Sequence, residues 1–256
     1  QYKRIRWITT NNTAVTSHKI LLQGLDAGVY KYRIRRRGDD SYVSDIRQFT
    51  VWADSQVGSF SYIQTSDQQG FNWLEYQAWK KASFFISQEH PDIKFTINTG
   101  DITQNGNRES EWLDYYDGRQ FLFNLEEMFT IGNNDLCGVN EWELGTGQAG
   151  TYKINHKNIL FYYTFELDPE NSPIFHSGDT VYYMPSMYSF NFGSWHFVSL
   201  NSEFAANTYK VYQETDGTFI VDTYTQMADW FKKDLQLWQG TSGDPTNCSK
   251  CIVYCH

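Results

Sequence analysis

Two short segments place an oxygen ligand directly after a glycine. One reads Asn98-Thr99-Gly100-Asp101-Ile102-Thr103-Gln104-Asn105-Gly106, the other Ile131-Gly132-Asn133-Asn134-Asp135. Each ends an apolar, strand-like run; Asp67 lies upstream and His256 at the last position. Asp and Asn offer hard oxygens and His an imidazole nitrogen, a mixture that suits Zn, Fe or Mn. A bridging carboxylate can hold two such ions close together, where they clamp a phosphate and acidify a water into a nucleophile. Singly, each residue has a plainer reading. An Asp after Gly is commonly a turn residue or a helix cap. Asp67, with Ser66 beside it, could cap a helix near Trp73, and His256 could be a core histidine. The four together, in order and in register, favour ligands.

The elements that must position them follow a strand–helix alternation. Residues 60–65 read as a strand, followed by a loop holding Asp67. A helix is predicted over about 73–88, with Trp73, Tyr76, Gln77, Lys80 and Phe84 at helical spacing, and Pro91 closes that region. Residues 93–98 form the next strand. A second helix spans about 109–123, with Trp112, Tyr115, Tyr116 and Phe123 towards the core. On its other side Glu109, Glu111 and Asp114 read as a solvated face. Residues 128–131 give a third strand. Asp67, Asp101 and Asn133 thus stand about 30 residues apart, one strand–helix unit each. Ligands of open α/β sheets collect beyond the carboxyl ends of the strands, so these loops converge on one spot. Residues 136–180 read as a long irregular aromatic stretch. A hairpin over 188–201, a helix over 225–238 and a strand from Cys251 complete the chain. His196 falls in that hairpin and reads as structural; His18, His90, His156 and His176 show no ligand spacing.

Residues 1–52 alternate differently, as an antiparallel sheet. Strands are expected at 17–22, 29–35 and 43–51, with turns at Gly24-Leu25-Asp26-Ala27-Gly28 and Gly38-Asp39-Asp40. This pattern suits the later part of a small β-sandwich.

Composition narrows the classes. The 256 residues include 18 Tyr, 18 Phe and 9 Trp, residues that fill strands and half-buried sheet faces. A formal charge of −9 argues against a nucleic-acid or anionic-membrane surface. No apolar run reaches the length of a transmembrane helix. Gln1 opens without an initiator methionine and His256 closes inside an apolar run, so both ends read as cuts in a longer chain. Cys137, Cys248, Cys251 and Cys255 lack the paired spacing of a zinc knuckle. A disulfide between two of them and buried thiols are both open. The triplets Asn11-Asn12-Thr13 and Asn247-Cys248-Ser249 are glycosylation acceptors in form, which points weakly to an extracellular or cell-surface setting.

These motifs resemble the calcineurin-like metallophosphoesterases, within them the purple-acid-phosphatase-like branch that carries a fibronectin-like domain in front. The family pattern runs Asp-x-His or Asp-x-Gly, Gly-Asp, Gly-Asn-His-Asp/Glu, a hydrophobic strand ending in His, then Gly-His-x-His. Here stand Asp67-Gln68-Gln69, Gly100-Asp101-Ile102-Thr103-Gln104, Gly132-Asn133-Asn134-Asp135 and Val253-Tyr254-Cys255-His256. The segment Leu22 to Ile34 is similar to a fibronectin type III module. The resemblance implies an α/β sheet sandwich flanked by helices over 54–256, preceded by part of a fibronectin-like sandwich over 1–53. It implies two metal ions (Fe, Zn or Mn), with Asp67 on the first, Asp101 bridging, and Asn133 and His256 on the second. The family's last histidine pair is absent from this sequence. Three positions depart from the pattern: Gln69 where relatives have a ligand histidine, Gln104 where the purple enzymes have a tyrosinate, and Asn134 at the catalytic histidine. An amide donates a hydrogen bond but cannot deliver a proton, and general-acid help contributes about 10²–10⁴ in rate. Two functions follow as expectations. One is a phosphoric ester hydrolase acting on a phosphate ester. The other is a fold retired from catalysis, kept as a binding or structural domain of a larger surface or virion-type assembly.

Overall fold

The computed structural model describes residues 22, 24–36, 41, 43–53, 57–106, 108–136, 174–177, 180–183, 187–202, 223–242 and 250–256. The architecture is mixed α/β. Three parallel strands, β3 (Ser61–Thr65), β4 (Ile93–Asn98) and β5 (Glu126–Phe129), form one sheet in that order. Helices α1 (Trp73–Glu89) and α2 (Glu109–Arg119) make the crossovers, as parallel neighbours require. A second sheet runs β8 (Tyr188–Phe192), β9 (Trp195–Ser199), β10 (Cys251–Tyr254). β8 and β9 are an antiparallel hairpin, and β10 joins β9 in parallel.

The two sheets face one another through aromatics. Phe95 and Ile97 of β4 meet Phe197 of β9 and Tyr254 of β10, with Phe60, Tyr62, Phe190 and Phe192 packed around them. Phe190 and Phe197 stack at 4.9 Å, and Tyr62 stacks on Phe95 at 5.4 Å. Each large side chain buried here stabilises by about 1.5–3 kcal/mol. The outer face of the first sheet is covered by helices. Tyr76 and Trp79 of α1 and Trp112 and Tyr115 of α2 share a core with Ile102, Phe129 and Ile131. β-Alternation sends His196 to the opposite side from Phe197, where helix α4 (Thr223–Ser242) lies. There His196 bonds Asp234 at 2.8 Å and Asn191 at 2.7 Å, Ser189 donates to Asp234 at 2.6 Å, and Trp238 stacks on the ring. His196 therefore pins α4 to the second sheet.

Several expectations change. α1 buries Tyr76, Trp79 and Ser83, while Trp73 is more than half exposed. The helix is rotated from the face first read because Gly118 of α2 admits Trp79: a carbon on that glycine would stand 2.4 Å from the indole. Asn72, and not Asp67, caps α1, accepting from Leu74 N at 3.0 Å. Glu111 is buried and not part of a solvated face. The third strand spans Glu126–Phe129 and not 128–131, because Thr130 and Ile131 already belong to the site loop. Near the end of the expected irregular stretch and just beyond it, β6 (Ile174–Ser177) and β7 (Thr180–Tyr183) pair antiparallel. Residues 137–173 and 178–179 of that stretch lie outside the described residues, as do residues 17–21 of the strand expected at 17–22 and both glycosylation triplets. Upstream, β1 (Gly28–Tyr32) and β2 (Arg47–Val51) form one antiparallel pair. Lys94 Nζ sits 4.0 Å over the Trp52 ring, and Arg47 lies 4.8 Å over Phe123, which ties this pair to the α/β body. Cys255 is an exposed free thiol; Cys137 and Cys248 lie outside the described residues. Among the described residues no helix is long and apolar enough to cross a membrane.

Candidate metal centre

The loops leaving β3, β4 and β5 and the end of β10 meet at one edge of the two sheets. Asp67 N donates to Gly100 O at 3.0 Å, and Gln69 N donates to Asp101 O at 3.1 Å. The first two loops therefore run side by side. Thr130 N donates to Asn98 O at 2.8 Å, which carries the β4–β5 pairing into the third loop. His256 arrives from the second sheet. Its ring Nδ1 lies 3.0 Å from Thr99 O, and its own carbonyl accepts from Ser202 Oγ at 2.8 Å.

Two glycines make the approach possible. Gly100 has φ +100°, and a side-chain carbon there would stand 2.5 Å from Gly132 N. A carbon on Gly132 would stand 2.1 Å from Asp101 Oδ1. Only hydrogen fits at either place. Asp67 (φ 57°) and Asp101 (φ 52°) are the positive-φ non-glycine residues among those described. Such backbone costs on the order of 1–3 kcal/mol and concentrates where side chains must be aimed. Asp tolerates it better than most residues.

The result is a cluster. Asp67, Asp101 and His256 each offer one ligand atom, and these atoms all lie within 4.8 Å of one another. His256 Nε2 is 3.5 Å from Asp101 Oδ2. Asp101 is buried, His256 half-buried and Asp67 exposed, so the cluster opens to solvent at Asp67. Ser66 Oγ donates to Asp67 Oδ2. Atoms about 2.0–2.2 Å from one ion stand roughly 3–4.4 Å apart, close to the spread found here. The Thr99 carbonyl holds the Nδ1 proton of His256 and leaves Nε2 as a lone-pair donor towards Asp101, the usual orientation of a ligand imidazole. Gln69 Oε1 is buried without a hydrogen-bond partner, although its amide nitrogen reaches Asp101 Oδ2 at 3.3 Å. A cation among these residues would give that carbonyl a partner. The donor set and this orphaned oxygen fit one metal ion.

The other positions lie around the same carboxylate. Asn134 donates to Asp101 twice, from its backbone N to Oδ1 at 2.9 Å and from Nδ2 to Oδ2 at 2.7 Å. Gln104 Nε2 donates to Asn134 Oδ1 at 3.3 Å. Asn133 opens the short helix α3 (Asn133–Leu136) and is half-buried, between Gly132 and Asn134.

Three positioning residues had a weaker signal in the sequence. Asp135 clasps two loops: its Oδ1 accepts from Ile102 N and Thr103 N, both at 2.9 Å, and its Oδ2 from Gly132 N at 3.0 Å. Burial pushes its carboxyl up to about 7, against the donors from Thr103 and Gly132 that favour the charge. Asn98 fixes Gly100 by accepting its N–H at 3.1 Å and donates to Tyr115 Oη at 2.9 Å. Glu111 accepts from Asn105 N at 2.7 Å and holds the loop after Asp101 against α2. Only the place of Asp135 in the Gly-Asn-x-Asp run could have drawn notice.

No family model and no curated protein matches the chain. Among solved structures it is similar to a purple acid phosphatase isolated from yellow lupin (Lupinus luteus) seeds, with a TM-score of 0.50 and 14% sequence identity. The match covers 89% of this chain and 36% of that one, so the chain spans little more than a third of the phosphatase. The likeness is one of fold, an α/β body similar to the matched part of that phosphatase.

Proposed function

We propose that this chain carries the metal pocket of a metallophosphoesterase and hydrolyses phosphate esters, with Asp67, Asp101 and His256 as ligands. The observation that carries the reading is the convergence of those three side chains, from three separate loops, to within 4.8 Å. The purple acid phosphatase likeness supports it at the level of fold. The mixed oxygen and nitrogen set suits Zn, Fe or Mn. When bound, such an ion supplies positive charge for phosphoryl oxygens and makes an attacking water acidic enough to ionise near neutral pH.

The chain's own residues do the rest. Asp101, buried and anchored by Asn134, fixes the pocket floor. Thr99 orients the His256 ring. Asp67 stands at the solvent-facing rim, the side from which an ester would enter. Asn134 can donate to a phosphoryl oxygen through its second amide hydrogen but cannot protonate a leaving alcohol. Substrates with acidic leaving groups, aryl phosphates above all, lose least from that absence.

The amides at Gln69, Gln104 and Asn134 favour a second reading. Gln69 and Asn134 satisfy the Asp101 carboxylate from within the protein, and Gln104 holds Asn134, as a fold kept for binding or structure in a larger surface or virion-type assembly would do. Hydrolysis of an activated aryl phosphate separates the two. The enzyme reading expects turnover that a chelator stops and Asp101→Ala removes. An inert protein would sink it and favour the retired domain.

A further inference from the structure

We infer that this pocket holds one metal ion and excludes a second, because Asn134, held in place by Gln104, occupies the part of Asp101 with which a carboxylate would bridge two ions. The inference rests on the metallophosphoesterase reading and deepens it.

A carboxylate presents about four lone-pair sites, two on each oxygen. Bridging through one oxygen uses both of its sites; bridging through two oxygens needs an open site on each. On Asp101 Oδ1, the Asn134 backbone N–H takes one site at 2.9 Å. The same oxygen lies against Gly132, where even a methyl carbon would come within 2.1 Å. That side has no room for an ion and its further ligands. On Oδ2, the Asn134 side-chain amide takes one site at 2.7 Å, a short bond of the charge-assisted kind. What remains on Oδ2 faces His256 Nε2 at 3.5 Å, together with the long 3.3 Å contact from Gln69. One ion can enter there, between Asp67 and His256, by displacing the long Gln69 contact.

The orientation of Asn134 is fixed by chemistry. Turned over, its carbonyl oxygen would stand against a carboxylate oxygen at hydrogen-bond distance, two acceptors with no proton between them. Gln104 reinforces the same orientation by donating to Asn134 Oδ1 at 3.3 Å. Gln104 and Asn134 come from different loops, 30 residues apart, yet they form one chain of hydrogen bonds ending on Asp101. Gln69 adds a third amide from the loop after β3. Two of the three departures, Gln69 and Asn134, therefore meet on a single carboxylate, and the third, Gln104, holds Asn134 there. The effect of the Gln104–Asn134 pair is to turn a would-be bridge into a terminal ligand.

Metal stoichiometry tests this without reference to activity. The protein at its full natural length is saturated with Zn²⁺, freed of loosely held ion by a weak chelator, and weighed by native mass spectrometry beside Asn134→Ala. The expected result is one zinc per chain in the wild type and a second in the variant. Thermal unfolding of the zinc-free proteins verifies that Asn134→Ala is folded. Should it not fold, Gln104→Ala serves in its place, with part of the population expected to take the second ion. Two zincs on the wild type would overturn the inference and leave the metallophosphoesterase reading standing. No zinc on the wild type would overturn both. A folded variant still limited to one zinc would overturn the role given to the amides.

Discussion

His256 Nδ1 stands 3.0 Å from the carbonyl oxygen of Thr99, a residue 157 positions earlier in the chain. This contact closes the pocket, because it brings the end of β10 onto the loop that carries Asp101. It also decides which ring nitrogen can bind a metal, since a proton held at Nδ1 leaves Nε2 as the donor. His256→Ala is therefore expected to weaken zinc affinity by about 100-fold or more, on a scale where lesser, supporting contacts cost about 10–100-fold. Without metal, the same change removes one half-buried hydrogen bond, about 1 kcal/mol. Competition with a chromophoric chelator and thermal unfolding in EDTA measure the two effects separately. A large stability loss with unchanged zinc affinity would make His256 a packing residue.

Gly132 and Asp101 are in such close contact that the glycine cannot carry a side chain. Its added carbon would lie 2.1 Å from Asp101 Oδ1 and 2.2 Å from Asp101 N, so a backbone or ligand atom must move. Overpacking of this kind costs about 1–3 kcal/mol. Gly132→Ala is expected to lower stability by that amount and to abolish tight zinc binding. Gly58 has nothing within 4 Å of the equivalent position, so Gly58→Ala is the control and should change stability by less than about 1 kcal/mol. Denaturant melts of both variants, with zinc titrations, read this directly. Equal behaviour of the two would contradict the packing described.

Glu127 supplies a pH dependence away from the pocket. It is buried beside Arg119, with Tyr115 Oη and Asn98 Nδ2 donating to it. Burial raises its carboxyl above the ordinary 4.5, outweighing Arg119 and the hydrogen bonds from Tyr115 and Asn98. Between 4.5 and the raised folded value, the folded state keeps a proton that the unfolded chain has lost. Stability from this group is thus complete below the unfolded value and falls as pH rises through the folded one. Glu127→Gln cannot titrate. Whatever its offset at low pH, its stability relative to wild type should improve as pH rises through that window, by at most about 1.4 kcal/mol per pH unit. Denaturant melts across the window test the sign. A relative loss with rising pH would mean that Arg119 dominates the carboxylate.

Much of this was written in local pattern. The alternation of apolar runs and helical spacing marked β3, α1 and β4 within a residue or two, because propensity and burial agree there; α2 begins where expected but ends at Arg119 and not near 123. The glycines before Asp101 and Asn133 marked where the ligand oxygens lie, while the close approach of Gly100 to Gly132 is visible only in the fold. What local pattern could not give was the rotation of elements about their own axes. Trp73 and Trp79 are both helix tryptophans, and which one is buried depends on the notch at Gly118 in a different helix. Glu111 looked solvated because acidic helix residues usually are. Its burial follows from the loop N–H of Asn105, a partner chosen by tertiary folding. The same holds for Gln69, Gln104 and Asn134. The sequence marked them as three separate departures, and only their placement brings Gln69 and Asn134 onto Asp101 and Gln104 onto Asn134.

The most direct measurement is an anomalous difference map from crystals grown with Zn²⁺, collected on both sides of the zinc absorption edge. The account predicts one peak, about 2.0–2.2 Å from a carboxylate oxygen of Asp67, Asp101 Oδ2 and His256 Nε2. Zinc elsewhere on the surface with no peak among these three side chains would contradict the claim that they form a metal centre.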